Sequence, residues 1–115
     1  MDANVSKREL VAMFKETDMA VLMNAAEYKT LTELEETVTV YRGVTPYNAR
    51  NVKALSWTLD KAKARWFATR FGEHGTVYKA QINKRNILAY FTGRNESEIV
   101  LNPYKLEHIT ALMEA

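Results

Sequence analysis

The chain has 115 residues, 47% of them hydrophobic and 26% charged, as expected of one globular domain with a modest core. Cysteine is absent and histidine occurs twice, at His74 and His108, which excludes disulfides and thiolate metal centres and leaves a histidine metal site poor in ligands. The net charge of +2 hides a division, with residues 1–41 at −4, 42–94 at +9 and 95–115 at −3, and a middle of that sign attracts anions.

Residues 6–27 read as one helix. Leu10, Met13, Phe14, Met19, Leu22 and Met23 fall near helical spacing, and no strong breaker precedes Asn24. Residues 30–36 suggest a further helical turn with Thr32 as its cap. Val38 to Arg42 alternates and is β-branched, a strand that stops at Gly43. Thr45 to Asn48 is a turn, and 52–58 a second short strand. Residues 60–71 form a helix capped by Thr58 or Asp60, with Ala62, Trp66, Phe67 and Phe71 along one side and 72–75 ending it. Residues 76–82 make a strand with Tyr78, Ala80 and Ile82 toward the core, 83–86 a turn, and 87–91 the next strand. A polar loop at 92–95 leads to a strand at 98–101, stopped by Asn102 and Pro103. Residues 105–113 fit either a helix or a closing strand. A helical N-terminal part, then strands around one helix, predicts a single α+β domain on a small, mostly antiparallel sheet. No apolar run reaches membrane-spanning length and the start is polar, so no membrane partner and a cytoplasmic location are expected.

Three separated elements carry the chemistry. Arg42 stands at a strand end beside Gly43. Its planar fork of donors suits a phosphate, and glycine lets a ligand approach the backbone. Ser56 and Thr58 are two apart on a strand, so both hydroxyls face one side and Trp57 the other. Glu96 and Glu98 are also two apart. A strand running through both would put their carboxylates on one face, with Cα atoms roughly 6.5 Å apart. Two such acids divide labour: one stabilises an oxocarbenium-like sugar, the other orients or deprotonates an acceptor. Each element alone also has a plain structural reading: a turn arginine, a helix-capping segment, and solvated acids.

Taken together, Tyr41-Arg42-Gly43, Ser56-Trp57-Thr58 and Glu96-Ser97-Glu98 resemble the Arg–Ser–Glu signature of the mono-ADP-ribosyltransferases, in the arginine-led branch that includes clostridial binary toxins and vertebrate ectoenzymes. Leu55 to Asp60 and the alanine- and aromatic-rich helix after it look like that family's Ser-x-Ser/Thr strand and following helix. Ile87 to Phe91, the polar loop, and Glu96 to Pro103 look like its target-recognition loop and catalytic strand. The likeness covers roughly residues 38–113.

The resemblance implies a split-sheet ADP-ribosyltransferase fold, with 1–37 as a helical N-terminal part and 38–113 as the NAD-binding core. NAD is then the co-substrate, without a metal. Arg42 would bind the NAD diphosphate region, and Gly43 would leave backbone groups free for nicotinamide or ribose. Ser56 would position Glu98, and Thr58 would support its strand. Glu98 would bond the nicotinamide ribose 2′-hydroxyl and stabilise the oxocarbenium ion. Glu96 would engage the acceptor, and a glutamate at that position goes with transfer to a protein arginine. Residues 90–95, with Phe91, Thr92, Arg94 and Asn95, would contact the target. Trp66, Phe67 and Phe71 are candidates to pack on nicotinamide, although each also reads as helix core. Thr58 departs from the family's second serine but keeps a hydroxyl. Arg42 and Ser56 fit the histidine-led relatives less well.

The activity implied is NAD-dependent transfer of ADP-ribose to protein, acting for example inside a bacterial cell as a phage product or as a toxin domain. NAD hydrolysis is a close variant. The reading from another class is a non-catalytic binding module of the same fold for nucleic acid or an acidic protein, in which the +9 middle would do the binding.

Overall fold

The computed structural model describes residues 6–45, 53–70 and 74–112. It is an α+β domain with a six-stranded sheet in the order β4-β5-β2-β1-β3-β6. The strands are β1 (Thr37–Val44), β2 (Ser56–Thr58), β3 (Thr76–Asn83), β4 (Ile87–Phe91), β5 (Glu98–Leu101) and β6 (Glu107–Leu112). Every paired neighbour is antiparallel. The join at the middle is thin: β1 meets β2 at one residue pair, Tyr41 with Thr58, while β1 and β3 pair along their full length. The segment that read as helix or strand is a strand, β6, entered through a 3-10 turn at Pro103–Lys105.

The N-terminal part is broken where one helix was expected. It runs as α1 (Lys7–Glu16), a single turn α2 (Met19–Leu22) and α3 (Ala25–Glu33). Thr17 is extended, and its hydroxyl donates to the Met13 carbonyl at 2.8 Å. The Asp18 carbonyl then receives the amides of Val21 and Leu22 and opens α2. Threonine favours such a side-chain bond to the backbone over helix continuation. The break re-aims the apolar stripe: Val11 and Met23 are buried, whereas Met13 is exposed. Residues 30–33 belong to α3, and the Thr32 hydroxyl bonds the Lys29 carbonyl inside it instead of capping a new turn.

Strand alternation gives the sheet two covered faces. Val38, Val40, Ala80 and Ile82 join Trp57, Ile99 and Leu101 in the main core, where Val11, Met23 and Leu31 of the N-terminal helices pack. The opposite face carries Val77 and Tyr41 under α4 (Lys61–Thr69). Asp60 caps α4 by accepting the amides of Ala62 and Lys63. The expected core side of α4 is displaced: Ala64 and Ala68 are buried, Ala62 is exposed and Trp66 is 58% exposed. Two alanines suffice because glycines beneath them let the helix lie close. A Cβ on Gly43 would overlap the Ala64 carbonyl oxygen, and one on Gly75 would overlap the carbonyls of Val44 and Ala68. The second strand is shorter than 52–58, beginning only at Ser56. The turn at 46–48, Val52 and Phe71 lie outside the described residues.

Candidate active site

The sheet order explains how distant elements meet. β2 lies between β1 and β5, so Arg42, Ser56, Thr58 and Glu98 come from three adjacent strands. Thr58 pairs with Glu98 and Ser56 with Val100. Ser56 is thus the diagonal neighbour of Glu98, within side-chain reach. Its hydroxyl donates to Oε2 of Glu98 at 2.6 Å. Trp57 points the other way, is 2% exposed, and donates its indole N–H to the Ala54 carbonyl at 2.9 Å.

Glu96 corrects the strand argument. β5 starts at Glu98; Glu96 is in the right-handed helical region and Ser97 has φ 47°. The acids therefore do not share a face through strand alternation. They meet because the loop folds back, and both line one cavity of about 200 Å³. Thr58 holds that fold: its hydroxyl donates to the Glu96 carbonyl at 2.6 Å and accepts the Asp60 amide at 3.0 Å. The Leu59 amide adds a bond to the Ser97 carbonyl at 3.1 Å. Thr58 is 6% exposed, a buried brace between the Glu96 loop and the start of α4.

Arg42 lines the same cavity, and its Nη1 donates to the Ser56 carbonyl at 2.8 Å. Burial pushes its guanidinium below the ordinary arginine value, yet it stays a cation at neutral pH. Its cation and the two carboxylates thus share a small concave site. Gly43 also lines it, but its missing side chain is already required by α4, so its smallness is explained by packing without a ligand.

The remaining expected residues divide. Phe67 lines the cavity; Trp66 sits edge-on to it, with ring centroids 5.0 Å apart at 80°. Phe91 is not a loop residue. It belongs to β4, half-buried and paired with Glu98, and Tyr90 beside it is buried. The loop proper begins at Thr92, and Arg94 and Asn95 are exposed on it with φ near 59° and 58°.

Tyr41, quoted from sequence only as part of the first element and given no role, and Arg70, not singled out at all, also line the cavity. The Arg70 guanidinium lies 5.3 Å from the centroid of the Phe67 ring. The signal for Arg70 was its place three residues beyond Phe67, where it caps the C-terminal end of α4. Glu27 was read as part of a packing helix, yet it grips the loop that leads to Glu96. Its Oε2 accepts the Thr92 amide at 2.7 Å and the Thr92 hydroxyl at 2.9 Å. The Thr92 amide first, then the Asn24 amide and the Thr92 hydroxyl, hold its carboxyl below the ordinary value.

No helix is long and apolar enough to cross a membrane among the described residues, and these contain no group of three or more metal-ligating side chains. Comparison with models of known protein families, with curated proteins and with solved structures finds no match to this chain.

Proposed function

We propose that this domain is a NAD-dependent mono-ADP-ribosyltransferase acting on protein arginine. The observation that carries the reading is the 2.6 Å hydrogen bond from Ser56 to Glu98, made in a cavity that Arg42 and Glu96 also line. The Arg–Ser–Glu resemblance calls for a serine that orients the second acid, and Ser56 stands in that relation to Glu98. The nearly divided sheet, joined by one residue pair between β1 and β2, is compatible with a split-sheet fold.

The cavity is smaller than the ~300–1,000 Å³ of most small-molecule pockets. It suits nicotinamide with its ribose, and the adenosine end of NAD would lie outside it. Arg42 offers a fixed cation to the diphosphate, and Arg70 brings a second one to the same wall. Phe67 offers a ring for the nicotinamide to pack on.

In the reaction, the bond between C1′ of the ribose and the nicotinamide nitrogen breaks. Its electron pair leaves with nicotinamide, which departs neutral. Glu98 accepts a hydrogen bond from the ribose 2′-hydroxyl and offsets the positive charge that grows on the sugar. Ser56 restrains the carboxylate so that little reorganisation is needed at that moment. An acceptor nitrogen then bonds to C1′, and its proton passes to Glu96. With water as acceptor, the same steps give hydrolysis.

The test is nicotinamide release from NAD by the wild type and by Glu98→Gln, with and without an arginine analogue. Glu98-dependent release that rises with the analogue is the expected result, with a loss of roughly a thousandfold in the variant. Release indifferent to the analogue would mark a glycohydrolase. No release and no NAD binding by calorimetry would overturn the reading in favour of a binding module.

A further inference from the structure

Residues 92–97 leave β4 and return to β5 in a cramped path. Arg94, Asn95 and Ser97 all have positive φ, at 59°, 58° and 47°. Side chains other than glycine pay for such angles unless the surroundings impose them. The path is held at both ends. At its exit, the Thr58 hydroxyl and the Leu59 amide bond the carbonyls of Glu96 and Ser97. At its entrance stands Glu27, from an element outside the catalytic strands.

Glu27 has both carboxylate oxygens engaged. Oε1 accepts the Asn24 amide at 3.0 Å, closing the capping box of α3. Oε2 takes both the amide and the hydroxyl of Thr92. A cap needs only the first oxygen. The equivalent glutamate of α1, Glu9, makes its capping box with Ser6 and, among the described residues, bonds no other element. Glu27 is also 8% exposed, whereas Thr92, Arg94 and Asn95 are exposed, so an acceptor protein meets the loop and not the acid that grips it.

We infer that Glu27 is a positioning residue: through Thr92 it fixes the loop that presents Glu96, and so sets how NAD cleavage divides between transfer to an acceptor and hydrolysis. The inference rests on the transferase reading above. Glu98 is held by Ser56 and by strand pairing on both sides, with Thr58 of β2 and Phe91 of β4, so loosening the loop at Thr92 misplaces Glu96 while Glu98 keeps its place. Transfer, which needs Glu96 at the acceptor, falls; cleavage of NAD does not.

The experiment measures both activities in Glu27→Ala, Thr92→Val and Glu9→Ala, together with amide hydrogen exchange at Thr92. Glu27→Ala is expected to lower transfer by about tenfold against hydrolysis, a modest share of what misplacement of a reacting group can cost. Thr92→Val, which keeps the amide bond and leaves α3 intact, moves the ratio the same way by a smaller factor. Glu9→Ala removes a comparable cap and leaves the ratio unchanged. Thr92 amide exchange quickens by about tenfold in Glu27→Ala alone. Equal loss of both activities in Glu27→Ala, or the same change of ratio in Glu9→Ala, would reduce Glu27 to a helix cap. A wild type that cleaves no NAD would instead overturn the transferase reading and this division with it, and exchange at Thr92 would still report whether the grip exists.

Discussion

Ser56 and Glu98 lie 42 residues apart and are joined by a 2.6 Å hydrogen bond from hydroxyl to carboxylate. The bond follows from register: β2 and β5 pair so that Ser56 reaches diagonally to the first residue of β5. Loss of one hydrogen bond to a charged group costs about 1.5–3 kcal/mol. Ser56→Ala is therefore expected to slow NAD cleavage by roughly tenfold to a hundredfold. Ser56→Thr, which keeps the hydroxyl, should recover part of it. Steady-state nicotinamide release checks both, and an unchanged kcat in Ser56→Ala would remove the bond from the mechanism.

Glu96 and Glu98 reach one cavity by different routes, a folded-back loop and a strand end. Their roles should then separate by mutation. Glu96→Gln is expected to reduce transfer to arginine by about a hundredfold, the scale of losing a positioned general base, and to leave hydrolysis within a few-fold. Parallel assays of labelled acceptor and free nicotinamide give the ratio. Equal loss of both would assign Glu96 to the cleavage step.

Arg42 uses Nη1 on the Ser56 carbonyl, so its guanidinium is tied to the strand that carries the serine. Arg42→Lys replaces a planar fork with a point charge that cannot keep that bond and also present a donor pair. The expected result is a rise in the Kd for NAD of roughly tenfold, about 1.4 kcal/mol, with the fold intact. Calorimetric titration measures it, and an unaltered Kd would take Arg42 out of the binding site.

Much of this arrangement is legible in the chain, for identifiable reasons. The strand at Val38 to Arg42 and the helix after Asp60 announce themselves because alternation and capping are local. The pairing of β2 with both β1 and β5 is not local, and the family likeness, not periodicity, suggested that Arg42, Ser56 and Glu98 gather. Local reasoning failed where the backbone leaves regular angles. Ser97 at φ 47° spoils the two-residue rule for Glu96 and Glu98. The break at Thr17 was hidden under an apolar spacing that continued across it. Trp66 read as core because it falls along one side of the helix with Phe67 and Phe71, but the helix approaches so closely over Gly43 and Gly75 that alanines fill the contact. Glu27 was invisible because its partner is 65 residues away.

Gly43 gives a stability prediction independent of any activity. A Cβ there would overlap the Ala64 carbonyl and stand 2.8 Å from the Ala68 amide nitrogen, both backbone atoms that cannot rotate away. Gly43→Ala should push α4 off the sheet and cost about 3 kcal/mol or more. Gly93→Ala is the control, since nothing lies within 4 Å of its would-be Cβ. Urea unfolding of the two variants compares them. A Gly43→Ala protein as stable as the control would mean that α4 does not sit where its alanines indicate.

Acid should weaken the N-terminal part through its two capping boxes. Glu27 and Glu9 are both held below 4.5, Glu27 chiefly by the Thr92 amide and Glu9 by the Ser6 amide. A carboxyl whose folded value is depressed contributes stability that is present above its unfolded value and is lost as pH falls through the folded one. Stability should therefore hold between neutrality and about pH 5 as far as these groups are concerned, and decline below 4.5. Glu27→Gln cannot ionise, so its deficit against the wild type should be full at neutral pH and shrink toward zero in acid. Urea unfolding across that range measures the difference directly. A deficit that stays constant with pH would show that Glu27 acts through its shape and not its charge.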